Sequence, residues 1–184
     1  MNKNFLLAIF CVLTLSGCAS KVVDVVSYDS NTSARMRIFG MNGIATYVYT
    51  GLDRCDISRS SNVIKASGGI KDSLKSLLLS RDSHSIGIPS SDRVKNPHHG
   101  ILSNEFYNEY VIPANKLTTV KASFNSGPGS VVSYCDTISR TFFAEPGRDY
   151  EAFLTVKGGY CMLTVQAVEN TGETNQNIKN ITCQ

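Results

Sequence analysis

Between residues 34 and 168, apolar and polar side chains alternate one by one in several short runs, the period of a strand with one buried face. In Ala34 to Phe39, Ala34, Met36 and Ile38 fall on one side and Arg35 and Arg37 on the other. Gly40-Met41-Asn42-Gly43 is a turn signal, and Ile44 to Thr50 follows as a second strand, so a hairpin is expected here. Glu105 to Ile112 sets Phe106, Tyr110 and Ile112 on one side, and Leu117 to Phe124 sets Val120, Ala122 and Phe124 likewise. Val131 to Cys135 and Ile138 to Phe143 are shorter candidates. The clearest pattern comes last. Asp149 to Val156 carries Tyr150, Ala152, Leu154 and Val156 on one face, and Tyr160 to Val168 carries Cys161, Leu163, Val165 and Ala167. A two-residue turn at Gly158-Gly159 opposes Val156 with Cys161, Leu154 with Leu163, Ala152 with Val165 and Tyr150 with Ala167. A slip of one residue would destroy that match.

The rest of the chain follows other rules. Ile70, Leu74, Leu77 and Leu78 recur at helical spacing, which predicts one short amphipathic helix. Ser80 to Asn104 is rich in Ser, Pro, Gly and charge and is expected as an excursion of loops. Glu145-Pro146-Gly147-Arg148 is a Pro-Gly turn, and the polar, Asn-rich stretch 169–184 is expected to be irregular. Short strands, strong turns and one helix predict a mainly β fold, an antiparallel β-sandwich or open barrel, over residues 34–168.

The start of the chain differs from both. Met1-Asn2-Lys3-Asn4 is a basic opening, Phe5 to Leu15 is apolar, and Leu15-Ser16-Gly17-Cys18 sets small residues before a cysteine. The apolar run is too short to span a bilayer but suits a secretory signal. Its ending resembles the lipobox of bacterial lipoproteins. That resemblance implies diacylglyceryl transfer to the Cys18 thiol, removal of residues 1–17, a lipidated tether over residues 18–33, and membrane attachment through acyl chains. Ala19 is similar to the residue found there in lipoproteins sorted to a Gram-negative outer membrane. Three further segments, Ser85-Ile86-Gly87-Ile88-Pro89, Tyr110-Val111-Ile112-Pro113-Ala114 and Phe143 to Glu151, resemble stretches of small proteobacterial envelope lipoproteins. Those typically read Ala-Gly-Lys where this chain has Ala114-Asn115-Lys116. The resemblance supports the fold and implies no activity. The tethered β-sandwich is also similar in outline to the type VI secretion lipoprotein, although no motif here selects that role.

Four cysteines remain in an exported body: Cys55, Cys135, Cys161 and Cys183. An even number in an oxidising compartment predicts two disulfides, with three connectivities open. The preferred one is Cys135–Cys161, close in sequence, with Cys55–Cys183 pinning the C-terminal stretch. The second closes a long loop, where chain-entropy models give about 4 to 5 kcal/mol. No C-x-x-C pair exists, which argues against zinc.

Charge adds an exclusion. The net charge is +3 with both signs interspersed, so no nucleic-acid footprint is present. Candidate chemistry is sparse. His84, His98 and His99 all fall in the loop-rich stretch, and no G-x-S-x-G elbow accompanies them. Adjacent histidines rarely both reach one metal ion, so no metal site is expected. Glu105 with Glu109, and Asp149 with Glu151, share strand faces and could serve a glycan hydrolase; solvated surface carboxylates are the expectation for both pairs. No phosphate-binding glycine loop or dinucleotide fingerprint appears, and no cofactor is expected. Tyr47 and Tyr49 share a strand face and, with Tyr107, Tyr134 and Phe153, could form a contact surface if they point outward; packing in the core or at the sandwich edge is the expectation. The expectation is a non-enzymatic, lipid-anchored module that binds an envelope protein or cell-wall component. The alternatives are a carboxylate hydrolase of peptidoglycan and an envelope inhibitor presenting Ser80 to Asn104 as a protruding loop.

Overall fold

The computed structural model describes residues 27–67, 82–98, 105–126 and 134–183. The strands are β1 (Ser33–Gly40), β2 (Ile44–Leu52), β3 (Asn62–Ser67), β4 (Phe106–Pro113), β5 (Lys116–Asn125), β6 (Tyr134–Ala144), β7 (Asp149–Lys157), β8 (Tyr160–Val168), β9 (Thr174–Asn175) and β10 (Asn180–Ile181). They form two sheets. Sheet A runs β4-β1-β7-β8-β9 and sheet B runs β10-β6-β5-β2-β3. Ala34, Met36, Ile38, Ile112, Tyr150, Ala152 and Leu163 of sheet A meet Val48, Val120, Ala122 and Phe142 of sheet B in one core. The fold is therefore mainly β, as the alternation requires.

Among the described strands, pairing is antiparallel except between β1 and β7, which run parallel from Arg35–Asp149 to Ile38–Ala152; an isolated bridge from His84 to Asn108 is also parallel. That contact joins segments too far apart in sequence for a local pattern to foreshadow it. The terminal hairpin has the expected register, from Tyr150–Ala167 to Val156–Cys161. Gly158 and Gly159 both have positive φ, 57° and 82°, as a primed two-residue turn requires.

The first expected hairpin is different. β1 lies in sheet A and β2 in sheet B, so Met41-Asn42-Gly43 is a corner between layers and not a turn between neighbours. Alternation reports which side of a strand is apolar; it does not distinguish pairing beside a strand from packing across the core. The expected helix around Ile70 to Leu78 lies outside the described residues. The helix observed, α1 (Asp92–Lys95), falls in the stretch expected as loops.

Residues 169–183 contribute more than a loose tail. β9 extends sheet A beside Ala167 and Val168, and β10 extends sheet B beside Thr141 and Phe142. Both disulfides have the preferred connectivity. Cys55–Cys183 spans Cα atoms 5.5 Å apart, and Cys135–Cys161 spans 6.1 Å and ties the two sheets together.

Candidate functional site

The outward face of sheet A carries the densest chemistry among the described residues. The register sets Glu109 beside Arg37, Arg37 beside Glu151, and Glu151 beside Gln166, a single row across β4, β1, β7 and β8. Such a row would normally face water. Here residues 83–95 lie across it as a strap, and the side chains of Arg37, Glu109 and Glu151 are at most 1% exposed.

Glu109, Arg37 and Glu151 hold the strap, and Gln166 supports Glu151. Glu109 Oε1 accepts from Arg37 Nε at 2.9 Å and forms an ion pair with Nη2 at 2.7 Å. Its Oε2 accepts from Ser85 Oγ at 2.8 Å and from the backbone N–H groups of Ile86, Gly87 and Ile88 at 2.7, 3.1 and 3.2 Å. Three successive amides converge on one oxygen because Gly87 adopts φ 99°, which side chains other than glycine strongly resist. Arg37 Nη2 donates to the carbonyls of Ile88 and Pro89 at 2.8 and 3.0 Å. Glu151 accepts from Ser91 Oγ and Gln166 Nε2, each at 2.7 Å, and from Arg37 Nη1 at 3.4 Å.

Two flanking contacts complete the seal. Arg35 grips Asp149 through Nε and Nη2, both at 2.7 Å, and donates Nη1 to the Gly87 carbonyl. Arg93 of α1 pairs with Glu105 at 2.6 Å and stacks 3.9 Å from the ring centre of Phe153. At Glu109, burial alone would raise the carboxyl pKa. The Ile86, Ser85, Ile88 and Arg37 donors outweigh it, and the pKa falls below the ordinary 4.5.

The expectation of solvated carboxylates is thus corrected. Glu105, Glu109, Asp149 and Glu151 have side chains at most 5% exposed. These positions are polar because a charged partner covers them, not because water does. The same geometry gives each of these carboxylates an arginine partner: Arg37 for Glu109 and Glu151, Arg35 for Asp149 and Arg93 for Glu105. Ser85 to Pro89 and Phe143 to Glu151 both carry groups of this network, and Tyr110 directly follows Glu109 at the start of the third quoted segment. The described part of the loop excursion is pinned to sheet A and does not protrude. The backbone of His84 bridges to β4, while its side chain and that of His98 are exposed. Cys18 and His99 lie outside the described residues. Among the described residues there is no grouping of side chains suited to a metal ion, and no helix is long and apolar enough to cross a membrane. No family model, no curated protein and no solved structure matches this chain.

Sequence alone does not single out Arg37, nor Ser85, Ser91, Arg93 and Gln166 around it. The available signal was two arginines on β1 facing acidic residues on two other runs, but it needed the parallel β1–β7 pairing to be read.

Proposed function

We propose that this chain is a lipid-anchored cell-envelope protein, acylated at Cys18, whose sandwich acts as a non-enzymatic binding or accessory module for an envelope protein or cell-wall component. The anchor rests on Leu15-Ser16-Gly17-Cys18 at the end of a signal-like segment. Two disulfides fit an oxidising compartment outside the inner membrane. Ala19 favours the outer membrane by resemblance to sorted lipoproteins. Two acyl chains suffice for stable attachment, each buried methylene adding about 0.8 kcal/mol.

One observation carries the choice of binder over hydrolase. The carboxylates a glycan hydrolase would need are committed to Arg35, Arg37, Arg93 and the strap amides. A hydrolase of this kind works through two carboxyls open to a sugar between them. Docking needs no such pair.

The test is replacement of Cys18 by Ser, followed by labelling with a radioactive fatty acid and membrane fractionation. The label is expected to vanish and the precursor to accumulate; unchanged processing and partitioning would refute the anchor. Chemical cross-linking in intact cells then identifies what the sandwich touches. Release of soluble fragments from purified peptidoglycan by the wild-type chain would replace the binding role with a hydrolytic one.

A further inference from the structure

We propose that the outward face of sheet B binds an anionic glycan, a sugar polymer that carries carboxylates. The proposal rests on the reading of the sandwich as a non-enzymatic binding module and names the class of ligand it takes. The register sets Lys65 of β3, Tyr47 of β2, Lys121 of β5 and Ser139 of β6 in one row across the sheet. These positions alternate with Val48, Val120 and Phe142, which are buried in the core, so the row points outward. Tyr49 lies on the same face, and Lys179 reaches that face above Phe143.

This face is basic without a counterweight. β2, β3 and β5 contain no acidic residue, and that of β6, Asp136, lies in the bulge opposite Ala122 to Phe124, outside the row. Lys95 and Lys116 pair with Asp92 and Asp53, but among the described residues Lys65, Lys121 and Lys179 meet no carboxylate. Aromatic rings hold two of them instead. The Lys121 ammonium stands 5.9 Å from the ring centre of Tyr49, and that of Lys179 stands 5.3 Å from Phe143. A ring attracts a cation without neutralising it, so these contacts place the charges and leave them unmatched. Tyr28, on the path to the proposed anchor, lies on the opposite side of the sandwich, 4.7 Å from the Arg35 guanidinium on the outward face of sheet A.

The placement of the rings selects a sugar acid over an acidic peptide. Tyr47, 36% exposed, lies directly between Lys65 and Lys121. The strands that carry those lysines are two spacings, about 10 Å, apart. A sugar acid offers both halves of this pattern in one unit. The C–H face of its ring stacks on the tyrosine, and its carboxylates meet the flanking ammonium groups. An acidic side chain offers the charge alone. Val63, 51% exposed and opposite Tyr49, extends the apolar surface toward a neighbouring ring of the polymer.

The test titrates the full chain, in detergent, with soluble probes in a calorimeter. Polygalacturonate has a carboxylate on each ring, dextran has rings and no charge, and polyglutamate has charge and no rings. Polygalacturonate should bind roughly tenfold or more tighter than either of the others. Lys65→Ala, Lys121→Ala and Lys179→Ala should each weaken that binding roughly threefold and lessen its dependence on salt. Tyr47→Ala should weaken it to a similar extent with the salt dependence unchanged. Lys157→Ala, at the hairpin tip of sheet A, should have no effect. Circular dichroism checks that the variants remain folded. Equal affinity for polyglutamate would replace the glycan with an acidic protein partner while leaving the binding role standing. That result, a failure of polygalacturonate to bind, or a Lys157 effect equal to that of Lys121 would each overturn the proposal.

Discussion

The outward faces of the two sheets read alike in sequence and behave oppositely in the fold. On sheet A, Arg35, Arg37, Glu109, Asp149 and Glu151 alternate with core residues, yet all are buried or nearly so beneath the strap. On sheet B, Tyr47, Val63, Lys65 and Lys121 alternate in the same way, with Tyr47 36% and Val63 51% exposed. What differs is what lies above. Sheet A has a charged row bound to Ser85 to Ser91, whereas on sheet B, among the described residues, Tyr47, Val63 and Lys65 are exposed. A polar strand face therefore marks solvent only where no segment returns to satisfy it. Buried charge is costly unless it is paired and hydrogen-bonded, and each buried carboxylate of sheet A has an arginine partner.

The comparison can be broken most sharply at Arg37. Arg37→Met leaves Glu109 and Glu151 buried without their cation and is expected to cost about 3–5 kcal/mol in urea unfolding. A loss no larger than that of a surface change would mean that the row is not sealed. Acid acts on the same site. Because the folded pKa of Glu109 lies below its ordinary 4.5, its stabilising contribution is complete above that value. It is lost as pH falls from there through the folded pKa. A wild-type unfolding midpoint should therefore drop on acidification, and the drop should be smaller in Glu109→Gln. Equal acid sensitivity in the two proteins would assign the titration elsewhere. Ser91→Ala removes one charge-assisted donor from Glu151 and should cost about 2 kcal/mol by the same assay. On sheet B, Lys121→Ala, which removes a cation 5.9 Å from the Tyr49 ring, should stay within about 0.5 kcal/mol. A Lys121 effect rivalling that of Arg37 would erase the contrast between the sheets.

Much of the β architecture was legible because its signals are local. Gly158-Gly159 fixes a turn, and the flanking alternation then admits one register for Tyr150 to Ala167. The four cysteines of the body paired as preferred because the hairpin sets Cys161 against sheet B and the C-terminal stretch returns to Cys55. The rest depends on contacts with no local signature. Met41-Asn42-Gly43 looks like a hairpin turn, but both ends of the corner are apolar on the core side, so crossing between layers satisfies the pattern equally well. Arg37 resembles a surface arginine until β7 arrives in parallel beside it from more than a hundred residues away. Thr174–Asn175 and Asn180–Ile181 are polar edge strands whose pairing comes from backbone groups alone, which composition cannot reveal.

Native-state hydrogen exchange at the Ile86, Gly87 and Ile88 amides reads the attachment of the strap itself, since all three donate to Glu109. If the carboxylates of sheet A serve to hold the strap, these amides should exchange as slowly as those of β1 and β7, and Arg37→Met should release them selectively. Exchange of the wild-type amides at rates typical of an open surface loop would contradict the account.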